Sequence, residues 1–308
     1  MGAEAGRQDQ VFLALTALAA FLLLVLPVGI GFVLVLRSLP ALKAFGVAFL
    51  ARDSWDPVAG EFGALGSLYG TLVTSALAMV MAVPVSLAIG YYLAELAPPR
   101  LSRVVGTGVE LLAAVPSIIY GMWGLFVLAP VLADHVQPTI QKIFGSFPLF
   151  AGPPMGIGIF TASVVLALMV VPFISSVARD VFSMVPSVLK ESGYGLGATG
   201  WEVMRGITLR YGFAGIIGGC LLGLARALGE TMAVTFVIGN RHAVSVSLFE
   251  PGNSISSALA NEFTEATDPL YLSALMGLGL VLFVLTVLVQ SVSQLWLRAV
   301  RKKMGGAH

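Results

Sequence analysis

The segment Glu191-Ser-Gly-Tyr-Gly-Leu-Gly197, continued through Thr199 and Glu202 to Ile207-Thr-Leu209, is polar and dotted with glycine. It interrupts a chain that is otherwise largely apolar. Seven charged residues fall within 179–210 (Arg179, Asp180, Lys190, Glu191, Glu202, Arg205 and Arg210), whereas the flanking runs 155–178 and 211–225 contain none. A charged side chain at the centre of a bilayer costs about 2.5–3.5 kcal/mol on insertion scales, so this density of charge marks a loop outside the membrane. The loop is nonetheless folded. Pro186 suits the first turn of a short helix, where its missing N–H has no intrahelical partner to lose. Thr199 with Glu202 three residues on has the form of a capping box opening a second helix. The spacing predicts helix, turn, helix.

Composition extends this reading to the whole chain. Of 308 residues, 57% are hydrophobic and only 11% charged, against about 25% charged in an ordinary soluble domain. Six apolar stretches are long enough to cross the hydrocarbon, which takes about 20 helical residues: 11–36, 69–94, 108–132, 155–178, 211–238 and 271–296. The first is charge-free over 26 residues and no small-residue cleavage site follows it, so it reads as a retained anchor rather than a signal peptide. Lys and Arg set the orientation. With the N-terminus inside, eleven basic residues lie on the inner side, five on the outer side, and Arg226 lies within a span. Both termini and the Glu191 loop are therefore expected in the cytoplasm. The net charge of +1 says nothing about partners, because opposite faces of a membrane protein meet different solutions. The single cysteine, Cys220, excludes an internal disulfide framework.

Three regions are expected: an N-terminal helix and external loop over 1–68, a core over 69–296 that includes the loop 179–210, and a basic cytoplasmic tail over 297–308. Pro84, Pro116, Pro130 and Pro172 fall in or beside the core runs, which membrane helices tolerate where neighbours satisfy the freed carbonyls. Residues 143–154 form a turn or short external helix. The external loop 239–270 carries Arg241 against Glu250, Glu262, Glu265 and Asp268, so it is no anion-collecting funnel. Within it, Pro251-Gly-Asn253 followed by Ser254 opens a capped short helix, re-entrant or lying on the outer surface.

The fifth run contains Arg226-Ala-Leu-Gly-Glu230. A membrane-embedded Arg needs a partner or an aqueous cavity, and on a continuous helix residues i and i+4 share a face and can pair. Two readings stand: a functional cation on a path through the membrane, or a structural ion pair.

The chain resembles a known family at four places. Glu191, Gly197, Ile207 and Leu209 reproduce the spacing of the loop in bacterial ABC importer permeases, with Ser192 and Gly193 where that loop has alanines and Arg210 where it has proline. The stretches Glu110–Gly124, Leu224–Asn240 and Pro251–Phe263 resemble the PstC-type permease subunits of phosphate ABC importers. The resemblance covers roughly 45–290. It implies an all-α fold with six transmembrane helices, the type I ABC importer permease (MetI-like) fold. It also implies a transport subunit rather than an enzyme, in the bacterial inner membrane, handling inorganic phosphate. Glu191, Gly197, Ile207 and Leu209 would couple to an ATPase, and Arg226, Glu230, Thr231 and Asn240 would line the substrate path. The partners implied are a second, PstA-like permease, two PstB-like ATPase subunits that hold the ATP and Mg, and a PstS-like external phosphate-binding protein. No cofactor is expected in this chain, and no nucleic acid.

Rival readings stay open. A permease for another oxyanion such as sulfate shares the loop, but the Arg226–Asn240 segment argues against it. An ion-gradient-driven carrier is a second rival, although such carriers often show repeated halves and no convincing repeat is present. A non-transporting membrane sensor is a third. Gly195-Leu-Gly197-Ala-Thr-Gly200 fits G-x-G-x-x-G but lacks the preceding strand and following acid of a dinucleotide site. No Gly-Lys dipeptide exists for a P-loop, and three scattered histidines with one cysteine form no metal cluster.

Overall fold

The computed structural model describes residues 6–145 and 147–303. Helix α1 (Arg7–Phe45) is followed by a small antiparallel hairpin, β1 (Trp55–Asp56) and β2 (Glu61–Phe62), with Trp55 opposite Phe62. Then come α2 (Leu65–Leu96), α3 (Pro99–Ala113), α4 (Ser117–Phe144) and α5 (Ile159–Ser183). The chain closes with α6 (Ser187–Gly195), α7 (Gly200–Leu228), α8 (Met232–Val237), α9 (Ile255–Glu262) and α10 (Pro269–Lys303). Helices α1, α2, α4, α5, α7 and α10 are each long and apolar enough to span a bilayer, which matches the six expected.

Two expected spans are redrawn. The third begins at Ser117 rather than 108, because Pro116 cannot continue the preceding helix and instead caps α4 in an extended conformation (φ −57°, ψ 137°). The residues before it form the separate amphipathic helix α3. The fifth span ends at Leu228 rather than 238. Gly229 leaves the helix, and the chain restarts as the short α8. The loop also shortens, since α5 runs to Ser183 and carries Arg179 and Asp180 in its last turns.

Helix α5 is the central pillar. Of its most apolar window 67% is buried, against 6–28% for the other five spans. Helices α2, α4, α7 and α8 surround it, and Ala78, Ala82, Val165, Leu166, Val170, Ile174, Ala227, Val234 and Val237 form the main core. The approach of α7 is set by small residues. A Cβ on Gly212 or Gly215 would stand 2.7 Å from a Val181 methyl, and one on Gly219 the same distance from Val177. Bare backbone thus lets α7 seat on the valine ridge of α5, the close packing that membrane helices use in place of hydrophobic drive. Helix α1 packs along α10 and turns an apolar surface outward, with Leu23, Leu24 and Val28 exposed; such a helix belongs in lipid.

The end of the bundle that carries the hairpin is closed by a second core of Phe49, Phe62, Ile255, Tyr271, Leu275 and Leu278. Of the expected tail 297–308, the side chains of Arg301, Lys302 and Lys303 and all of 304–308 lie outside the described residues, as do the first five residues and the side chain of Arg7.

Candidate functional sites at the polar loop and the helix break

The loop is the helix, turn and helix that its sequence predicts. Pro186 caps α6, and α6 ends in a Schellman arrangement: Gly197 N–H donates to Tyr194 O at 2.9 Å and Ala198 N–H to Gly193 O at 3.1 Å. Gly197 has φ +86°, a conformation that a Cβ disfavours. Thr199 and Glu202 form the reciprocal capping box, with Thr199 N–H donating to Glu202 Oε2 at 2.7 Å, so α7 begins at Gly200 and passes without interruption into the membrane.

The four loop residues singled out by sequence divide into two kinds. Glu191 and Gly197 are exposed. Ile207 instead packs inward, its Cδ1 lying 2.6 Å from where a Cβ on Gly193 would stand, and Leu209 packs on the core of Ala178, Val181, Phe182 and Ile216. The first pair is available to a partner, and the second holds the loop on the bundle. Around Glu191 the loop exposes Val188, Tyr194, Leu196 and Trp201, with Leu196 91% accessible. Large apolar side chains thus crowd the exposed face of a charged loop, a pattern shared by protein-contact and membrane-contact surfaces.

Sequence reasoning missed the anchor of this loop. Lys190 Nζ donates to Glu95 Oε1 at 2.7 Å, joining α6 to the wide π-type turn that closes α2, and both side chains are only 18% exposed. On α5, Arg179 reaches toward Glu110 of α3 at 3.9 Å and fills the space beside Gly106.

The second site is the break in the fifth span. Arg226 lies in the last turn of α7 and is exposed, a position where the helix C-terminus favours a cation. The Arg226–Glu230 pairing expected on a continuous helix is not formed. The helix stops at Leu228, the four-residue geometry no longer applies, and Glu230 Oε1 instead accepts from Ala233 N–H at 3.3 Å at the start of α8. No ion pair joins the two among the described residues. Thr231 borders a cleft of about 500 Å³ with Gly229, Ser256 and Leu259. Asn240, at φ +55°, ties the end of α8 to α9. Its Nδ2 donates to Thr235 O at 3.1 Å, and its Oδ1 accepts from Ser257 Oγ. Thus Thr231 and Asn240 belong to the segment held against α9, while Arg226 stands exposed in the last turn of α7.

At the hairpin end, Ser254 caps α9 through Ser257 N–H at 3.1 Å, the capped helix that the sequence predicts. Glu262 at its end gathers Trp55 Nε1 (2.6 Å), Tyr271 OH (2.8 Å) and His242 Nε2 (2.6 Å), and Trp55 stacks on His242 at 5.0 Å. Burial pushes the Glu262 carboxyl up, but the hydrogen bonds from His242, Tyr271 and Trp55 outweigh it and hold the group below the usual carboxylate range. Nothing in the sequence places Trp55 beside residue 262, 207 residues away.

Six spans, of which α5 is the buried one, a folded polar loop and a broken fifth helix make up the fold seen in chains of solved ABC transporters. The solved MetNI methionine ABC transporter in an inward-facing form has the same fold in one of its chains, with a TM-score of 0.57 at 18% identity over 80% of this chain and 99% of that one. A chain of a bacterial alginate ABC transporter, in complex with a periplasmic protein bound to alginate pentasaccharide, superposes at 0.63 and 16% identity, covering 97% of both.

The family described as "Binding-protein-dependent transport system inner membrane component" matches residues 86–305. Proteins named phosphate transport system permease protein PstC are similar over nearly the whole chain. The one from Mesorhizobium japonicum is 52% identical over 96% of this chain and 92% of its own length, and that of Pasteurella multocida 54% over 88% and 86%. A probable PstC of Methanocaldococcus jannaschii is 35% identical over 92% and 90%. The chain belongs to the family of binding-protein-dependent transport inner-membrane components, among its PstC-type members. It is a multi-pass inner-membrane transport subunit, not an enzyme.

Proposed function

We propose that this chain forms half of the translocation path of an ATP-driven importer of inorganic phosphate. Its identity of 52–54% to two PstC phosphate permeases carries the reading. Its other half is a PstA-like permease, two PstB-like ATPase subunits bind ATP and Mg beneath the pair, and a PstS-like protein delivers phosphate from outside. The basic-residue asymmetry favours cytoplasmic termini and a cytoplasmic α6. Glu191 and the apolar side chains around it are then the ATPase-docking surface, with Gly197 shaping it and Ile207 and Leu209 holding it on the bundle. Closure of the ATPase dimer moves α6 and switches the access of the path between the two faces of the membrane.

Arg226 is the phosphate-contacting residue of the path. A guanidinium stays protonated and presents a planar fork of donors suited to phosphate oxygens, and its exposure beside the helix break leaves that fork free. Glu230, two residues past the helix end, keeps negative charge nearby and limits how tightly an anion is held, so transit stays weak. Thr231 borders the same break, and Asn240 fixes the far end of the segment that follows it to α9. The experiment is purification of the intact complex through this subunit. It should bring down an ATPase, a second permease and, before turnover, a binding protein loaded with phosphate. A binding protein loaded with sulfate would refute the assignment of the anion.

A further inference from the structure

The ion pair between Lys190 and Glu95 is largely buried and lies apart from the exposed face proposed for docking. Four ion pairs occur among the described residues, and this one alone joins α6 to a membrane-spanning helix. Lys190 stands next to Glu191 in sequence but points the other way, into the bundle, while Glu191 faces water. Its acceptor lies in the wide π-type turn Tyr92–Leu96, closed by Ala97 N–H donating to Tyr92 O at 2.8 Å. Helix α2 above that turn packs along the length of α5 and also touches α7, so Glu95 is fixed to the central pillar. Another footing of α6 is apolar, Gly193 against Ile207 and Val203 at the start of α7.

These footings differ mechanically. An apolar contact resists compression but slides and parts readily. A charge-assisted hydrogen bond of 2.7 Å shielded from water resists separation as well, because parting it strands two partly desolvated charges. We propose that Lys190 and Glu95 are positioning residues that form a strut transmitting movement of the docked loop, in both directions, to α2 and through it to α5. This inference rests on the reading of α6 as the ATPase-docking element. The strut makes a specific demand: without it the ATPase still docks and hydrolyses ATP, but less of that hydrolysis moves phosphate.

The test uses the complete complex of both permeases, the ATPases and the phosphate-loaded binding protein in liposomes. Phosphate transported per ATP hydrolysed is measured for Lys190→Met, Glu95→Gln, Lys190→Arg and the exchanged pair Lys190→Glu with Glu95→Lys. The two neutralised variants should retain the ATPase and its hydrolysis while phosphate per ATP falls about fivefold or more, the lower end of ordinary coupling between sites. Lys190→Arg and the exchanged pair should restore the ratio. An unchanged ratio in both neutralised variants overturns the strut, as does parallel loss of ATPase retention and hydrolysis at a constant ratio, which would make the pair a simple peg. If instead the unmodified complex retains no ATPase, the docking reading itself fails and the strut with it.

Discussion

Gly197 offers a test in which the structure isolates one physical cause. A Cβ built on it would meet nothing within 4 Å, while its φ is +86°. Replacing it by alanine therefore introduces no clash, only the cost of holding an L-residue in a left-handed conformation, about 1–2 kcal/mol. That cost falls on the Schellman closure joining Gly197 to Tyr194 and Ala198 to Gly193, and it lowers the population of the closed loop by a factor of about 5–30. Gly197→Ala should weaken ATPase retention by a factor in that range, while membrane insertion, which does not depend on the loop, stays normal. Asparagine visits this conformation more readily, so Gly197→Asn should bind better than Gly197→Ala. Gly197→Asp has the same backbone tolerance but adds a negative charge to the docking face, and should abolish uptake. The assay is titration of ATPase onto purified permease, with uptake measured in parallel. Retention by Gly197→Ala within twofold of the parent, or by Gly197→Asn no better than by Gly197→Ala, would refute the backbone argument.

Three further outcomes are expected. Arg226→Gln should sharply reduce phosphate uptake with assembly intact and Arg226→Lys should rescue it only partly, because the donor fork is lost; since Arg226 and Glu230 are not paired, adding Glu230→Gln should not restore transport. Near-normal uptake by that well-assembled double variant would take Arg226 off the path. Gly219→Leu should destabilise the bundle by about 1–3 kcal/mol through overpacking against Val177, whereas Gly218→Ala, with nothing within 4 Å of its Cβ, should be neutral or slightly stabilising; thermal unfolding in detergent compares the two, and equal midpoints contradict the glycine seat. Because the folded pKa of Glu262 is depressed, the stability it contributes is complete above the ordinary carboxylate pKa and lost as pH falls through the lower folded value. Acid unfolding of Glu262→Gln should be less steep over that window, and curves of the same slope would show that the carboxylate is not the titrating group.

Local rules sufficed where the cause is local. The helix, turn and helix of the loop follow from Pro186, from Thr199 with Glu202 and from the glycines around 195. The six spans follow from long apolar runs. The errors arose where a local rule was pushed past its reach. Apolar character carried the third span back to 108 although Pro116 divides it, and the i, i+4 rule assumed a helix through Gly229. What was illegible is mostly contact across sequence distance. Glu95 and Lys190 are 95 residues apart, Trp55 and Glu262 are 207 apart, and neither pair advertises its partner. The glycine seat of α7 is the exception, since Gly212, Gly215, Gly219 and Gly223 follow small-residue spacing and could have been read.

The central claim is ATP-driven phosphate transport through this subunit, and the most direct measurement is uptake of labelled phosphate into liposomes bearing the complete complex, with ATP available to its ATPase subunits. The account predicts uptake that requires ATP, is blocked by vanadate, persists in the presence of ionophores and is not competed by sulfate. Uptake that collapses with ionophores and proceeds without ATP, or transport of sulfate in preference to phosphate, would contradict it.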